Sequence, residues 1–392
     1  MGSSKLSFNA AFAMAVGGMI GGGIFATMGV VISVAGKWAW ASFLIGGIIA
    51  LATAHSYSCL TRQLDKAGGA FAYLHDLGHD GIARMVAWAL MLGYTLTVAV
   101  YGHTFGAYLA YAVGGPSWLP QAAALASIAI LAGVNLLGAG ESSVLEIVVV
   151  WGKLAILVVL AIIGLAHWNP AQLVASESSA SGIGGAIIGA ATVFMAYEGF
   201  QLLAYDYDEM ENGQEVIGKV MITAILVTIA VYILVVLGTA MLVGGNAIVE
   251  QQEIALAEAG RAAAGTPGLV AVTIAAVFST ASAINATIFA TARLGREAAE
   301  EDDMPAFFGK TDGEGVPYAG VLVIAVIASA LAFFGALEQL VQGASFVFLA
   351  VFAIVNAIAY IRNIAQRPVA IVGCAGAVLA IVLLALHLAG IV

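Results

Sequence analysis

The chain has 392 residues, 62% of them hydrophobic and 9% charged, with a mean hydropathy of +1.03. A soluble domain carries roughly 25% charged residues, so this composition excludes a water-soluble globule and points to an all-α polytopic membrane protein. The formal net charge of −10 draws on two loop clusters, Asp206, Asp208, Glu209 and Glu211, and Glu300, Glu301, Asp302 and Asp303, which argues against nucleic acid as a partner.

A membrane-spanning helix needs roughly 20 mostly apolar residues. Eleven such spans are predicted, near residues 8–33, 38–61, 83–113, 118–138, 142–166, 182–205, 216–243, 267–295, 317–336, 339–362 and 368–391. With the N-terminus cytoplasmic, the inner loops and span ends collect Lys5, Arg62, Lys66, Arg84, Lys219, Arg293, Arg296, Lys310, Arg362 and Arg367, while the outer side has Lys37 and Arg261. That bias sets the orientation of a multi-pass protein, expected in the cell membrane among its lipids. Between the seventh and eighth spans, Ala-rich Ile254–Ala264 is expected as a short outer helix lying along the surface.

Two spans carry interruptions. The first contains Gly17-Gly18-Met19-Ile20-Gly21-Gly22-Gly23, and glycine weakens a helix by about 1 kcal/mol relative to alanine. The sixth contains Phe194-Met195-Ala196-Tyr197-Glu198-Gly199-Phe200, with a carboxylate in mid-span. Backbone at membrane depth goes unpaired only where it lines a cavity or a site, and paired interruptions in two halves point to a carrier's binding site. Their spacing suggests an inverted five-plus-five repeat, about residues 8–166 and 182–362, in a core of residues 1–362 followed by an extra helix at 368–391. Free N–H groups at Ile20, Gly21, Gly22 and Gly23 would hold a carboxylate. Freed carbonyls near Met195, Ala196 and Glu198 would accept an ammonium, and an α-amino acid presents both charges.

Lys153 lies well inside the fifth span. A lysine near the bilayer centre costs about 2.5–3.5 kcal/mol on the insertion scale. It is read either as a functional amine or as a structural lysine bonded to carbonyls. Glu198 also has two readings: a contact for a cationic side chain or a moving proton, or a cap on loosened backbone. Ser279 and Ser282 on the eighth span are three residues apart and share a face, with Asn285 three further along. Cys59 and Cys374 are expected as free thiols, and neither metal nor cofactor is expected. The Gly-rich run is not a dinucleotide fingerprint, since no strand precedes it.

Four segments together carry a family resemblance: Gly21 to Phe25, Phe194 to Phe200, Gly68-Gly69-Ala70-Phe71-Ala72-Tyr73, and Ala292-Arg293 followed by Met304-Pro305-Ala306-Phe307-Phe308. In this order the chain resembles the amino acid permeases of the amino acid–polyamine–organocation superfamily. That family usually has twelve spans, against eleven here. The resemblance implies a leucine-transporter-type fold, alternating access and a small amino acid held at the midplane. It also implies that Lys153 stands where sodium-coupled members bind an ion between spans one, five and eight, with Gly17, Gly18, Ser279 and Ser282 as neighbours. The resulting expectation is a non-enzymatic, proton-coupled amino acid symporter, with an exchanger, a sodium symporter or a non-transporting sensor as the alternatives.

Overall fold

The computed structural model describes residues 5–138, 143–175, 178, 182–313 and 315–391. Helices follow the apolar runs: α1 (Phe8–Ala35), α2 (Ala39–Leu64), the short α3 (Ala70–Asp76), α4 (Asp80–Val113), α5 (Leu119–Leu136), α6 (Ser143–Ala166), α7 (Gly182–Thr192), α8 (Gly213–Val243), the short α9 (Gly245–Glu250), α10 (Ala255–Glu300), α11 (Tyr318–Phe334), α12 (Leu337–Ile361) and α13 (Arg367–Leu388). Extended pairing among the described residues is confined to one bridge, Leu6 with Met210. Each predicted span falls on one of these helices except the sixth, of which α7 makes only the first half, though residue 142, where the fifth was expected to begin, lies outside the described residues.

Eight helical stretches among the described residues are long and apolar enough to cross a bilayer, counting Phe8–Leu64 whole, and a bent pair makes nine. Phe8–Leu64 has 57 residues, about 85 Å of helix at 1.5 Å per residue, whereas the hydrocarbon core is about 30 Å thick. It is therefore two spans, parted at Gly36, whose φ of 52° glycine adopts without penalty. Adding α11, with 17 residues, accounts for the eleven predicted spans.

The innermost helix is α1. Its residues from Met19 to Ile32 are buried without a gap, as befits a helix that is apolar all round. It packs against α4, α6, α7, α8 and α10. The expected break in α1 is absent: the helix runs from Phe8 to Ala35 with no interruption. The energetics explain this. A glycine costs a helix about 1 kcal/mol, whereas an unpaired backbone group in apolar surroundings costs several, so the intrahelical bonds win while neighbours enclose the segment.

The expected outer helix also differs. Ala264 and Gly265 leave helical geometry inside α10 (φ −145° and 63°), and Pro267 follows, so Ala255–Ala263 forms a separate short rod. It is not laid along the surface, because Ala255, Leu256, Ala257, Ala259 and Gly260 are buried. Small side chains let it sink into the bundle: a Cβ on Gly260 would lie 2.6 Å from the Gly268 carbonyl oxygen.

Candidate functional site

The sixth span is broken as its sequence predicts. After α7 ends at Thr192, Phe194–Tyr197 and Phe200–Ala204 form 3-10 turns, and the two halves meet at 60°. Between the turns Glu198 is extended (φ −68°, ψ 136°) and Gly199 takes φ 136°, a region that residues with a Cβ avoid. Gly199 also touches α1 backbone to backbone. A Cβ on Gly199 would lie 2.7 Å from Met19 N, and one on Gly18 would lie 3.0 Å from Gly199 Cα. At Gly23 a Cβ would lie 3.1 Å from the Ala196 carbonyl oxygen. In this closed arrangement, then, Gly18 and Gly23 admit the broken sixth span, while Gly21 and Gly22 admit Ala283 of α10 and the Tyr101 ring of α4.

A broken helix leaves backbone groups that need partners, and each partner here comes from a definite element. The Met195 N–H donates to Ser345 Oγ of α12 at 2.9 Å, and that hydroxyl donates to the Thr192 carbonyl at 2.8 Å. The Glu198 N–H donates to the Met195 carbonyl at 2.9 Å. The Gly199 N–H donates to Gln201 Oε1 at 2.9 Å. The Tyr232 hydroxyl of α8 lies 2.7 Å from the Ala196 carbonyl oxygen and 2.6 Å from that of Met19. The carbonyls of Met195 and Ala196, expected to be free, are therefore engaged, the second by a hydroxyl whose single proton serves two acceptors.

Glu198 is 3% exposed. Its Oε1 accepts from Gln201 Nε2 at 3.2 Å, and the same amide nitrogen donates to the Tyr94 hydroxyl at 3.2 Å. Among the described residues no lysine, arginine or histidine forms an ion pair with it. Its side chain does not cap the loosened backbone at Gly199, because Gln201 already accepts that N–H. Ile20, Gly21, Gly22, Gly23, Met195, Ala196 and Glu198 are all buried, so the bundle is closed over the whole candidate set.

The fifth and eighth spans, α6 and α10, each reach α1 through one side chain, at different points along it. Lys153 is 4% exposed, and its Nζ donates to the Gly17 carbonyl at 3.2 Å, joining α6 to α1. Ser279 of α10 reaches α1 at a different point, donating to the Ile20 carbonyl at 3.3 Å. Ser282 and Gly18 are half-buried. Asn285 leaves the stripe: it accepts from Asn135 Nδ2 of α5 at 2.8 Å. Each three-residue step turns a helix about 60° short of a full circle, so two steps carry Asn285 away from α1.

Sequence reasoning missed Tyr232, Ser345 and Gln201. The signal for the first two was a lone hydroxyl in an otherwise apolar membrane run, Val231-Tyr232-Ile233 and Ala344-Ser345-Phe346. Cys59 and Cys374 are free thiols. Among the described residues no group of three or more histidine, cysteine, aspartate or glutamate side chains is placed to hold a metal.

Residues 6–392 match the model of a family described as amino acid permease. The chain is similar to an uncharacterized protein of Methanocaldococcus jannaschii, with 28% identity over 78% of this chain and 71% of that protein. It is also similar to the inner membrane transport protein YbaT of Escherichia coli, 28% identical over 83% of this chain and 76% of YbaT. The serine/threonine exchanger SteT of Bacillus subtilis is 26% identical over 75% of this chain and 68% of SteT.

Proposed function

This chain belongs to the amino acid permease family, and on that premise we propose that it is a secondary active carrier of amino acids, working by alternating access and coupled to protons through Lys153. The observation that carries the coupling is the buried Lys153 Nζ at 3.2 Å from the Gly17 carbonyl. An ammonium there ties α6 to α1 through a charge-assisted bond, stronger than one from a neutral donor. Loss of the proton weakens the tie and frees α1 to move. A sodium ion in the same place would set two cations side by side, which disfavours sodium symport.

The substrate takes the two segments that now touch. Its ammonium replaces the Tyr232 hydroxyl at the carbonyls of Met19 and Ala196. Its carboxylate takes N–H groups at Ile20 to Gly23, which requires α1 to open at its three consecutive glycines, where a helix yields at least cost. The inverted repeat, the cytoplasmic N-terminus and a location in the cell membrane belong to the same reading, supported by the loop charges. Exchange is the second reading, favoured by the similarity to a serine/threonine exchanger.

The experiment is transport in proteoliposomes with an imposed proton gradient. Wild-type protein accumulates amino acid on the side to which protons flow. Lys153→Ala loses that accumulation and keeps counterflow of labelled amino acid. Accumulation that stays fully gradient-driven in the variant defeats the coupling. Counterflow without any gradient-driven accumulation in wild type favours exchange, and the absence of both across a broad amino acid panel favours a sensor.

A further inference from the structure

A second cluster of ionisable groups lies at the span ends where the loops carry most of the basic residues. His75 of α3 has both ring nitrogens against carboxylates. Its Nδ1 is 3.0 Å from Asp80 Oδ1, and its Nε2 bonds Asp303 Oδ2. An ionised carboxylate only accepts, so with both aspartates ionised the two nitrogens both donate only if the ring is an imidazolium. The Asp303 side chain is 1% exposed. Its other oxygen accepts from Arg84 Nε at 3.0 Å, and its carbonyl accepts from Trp88 Nε1 at 3.2 Å, both from α4. A buried carboxylate in the loop after α10 is thus held from two sides.

The opposite end of α3 reaches the broken sixth span. The Gly68 N–H donates to the Ala204 carbonyl at 2.9 Å, and Gly69 abuts the Tyr205 ring with no room for a Cβ. The short helix is therefore a strut from the inner end of that span to the loop holding Asp303. Its flanks are pinned by Lys66 with Asp76 at 3.3 Å and by Arg362, which donates to the Leu77 carbonyl at 2.7 Å.

We propose that His75 is a proton-operated latch: as an imidazolium it fastens the loop after α10 to α3, and through α3 to the inner end of the sixth span; on losing a proton it releases that loop. The device senses pH on its own face of the membrane and is separate from Lys153. The charged groups facing the ring are Asp80 of α4 and Asp303 of the loop, with Arg84 of α4 on the far oxygen of Asp303; the Phe71 ring of α3 covers an edge. Lys66, just beyond α2, pairs with Asp76 nearby, and Arg362, which caps α12, sits beside His79. Burial alone would lower the proton affinity of His75, but the bonds to Asp303 and Asp80 outweigh it and raise its pKa above the ordinary histidine value. The latch is therefore complete in acid and is lost as pH rises through that raised value.

Hydrogen exchange of the full-length protein in detergent, from pH 6 to pH 9, tests this without any substrate. It therefore stands or falls apart from the transport reading. The rate for a peptide spanning 301–313 is taken relative to one spanning 244–254, which cancels the intrinsic pH dependence of exchange. In wild type the ratio is flat in acid, climbs by up to about tenfold per pH unit between the pKa of His75 with the loop released and its higher pKa in the latch, and levels off above the latter. His75→Gln loses the climb. Asp80→Asn, a change at an exposed side chain, moves its onset to lower pH. A wild-type ratio with no climb, a climb unchanged in His75→Gln, or an onset unmoved in Asp80→Asn overturns the latch.

Discussion

Gly18 and Gly199 meet backbone to backbone, so that a Cβ on Gly18 would stand 3.0 Å from Gly199 Cα. The contact seats the broken sixth span on an uninterrupted α1, and two separate constraints converge on Gly199. Its φ of 136° is a conformation costing other residues about 1–3 kcal/mol. An added methyl would also press on Met19 N, and overpacking typically costs about 1–3 kcal/mol more. Gly199→Ala is expected to lower the unfolding midpoint in detergent well below that of Gly18→Ala, which bears only the second cost. Equal midpoints for the two variants would show that the backbone angle is not what fixes glycine there.

Tyr232 makes a prediction about ligand dependence. Its hydroxyl serves the carbonyls of Met19 and Ala196 at once, and Tyr232→Phe leaves both without that donor. A buried acceptor left unsatisfied costs about 1–3 kcal/mol, so the substrate-free variant should unfold at lower temperature. If a substrate ammonium occupies the same carbonyls, saturating amino acid should stabilise the variant more than it stabilises wild type. Unfolding curves with and without the amino acid identified by counterflow measure this difference; equal ligand-induced shifts would mean that the ammonium binds elsewhere.

These two sites mark where the sequence was legible and where it was not. Span positions followed from hydropathy because the bilayer imposes one length and one polarity on every crossing. The break at Glu198-Gly199 was legible for a local reason: the chain there carries both a charge and a residue permissive of positive φ. The run Gly21-Gly22-Gly23 misled because glycine serves two opposite ends, loosening a helix and letting another backbone come close. Only the partner segments decide between them, and those of Gly23 are Tyr232 and Ala196, the nearer in sequence 173 positions away. Lys153 stood out because an ammonium in an apolar run has few explanations, whereas its placement near Gly17, to whose carbonyl it donates, came from the family resemblance. Tyr232 and Ser345 were missed because a hydroxyl is tolerated in a membrane helix for many reasons, and what these two satisfy is set by the tertiary fold.

Asp206 supplies a pH dependence at the inner end of the sixth span, in the loop beyond Ala204. Burial raises its carboxyl to about 6 from an ordinary 3.8; Arg293 acts against the rise, and Glu209 and Glu297 add to it by repulsion. The guanidinium is 3.9 Å away, too far for a strong hydrogen bond. A carboxyl whose pKa is raised by folding binds its proton more tightly in the native state. Its contribution to stability is therefore complete below about pH 4 and is lost as pH rises through about 6. Asp206→Asn is neutral throughout, so its unfolding midpoint should lack the decline that this group imposes on wild type between pH 4 and pH 7. At pH 7 the variant should be the more stable of the two, despite losing the distant pairing with Arg293. Should Asp206→Asn instead be less stable at pH 7, with no difference remaining at pH 4, the Arg293 pairing outweighs the burial of the charge and the sign of the argument reverses.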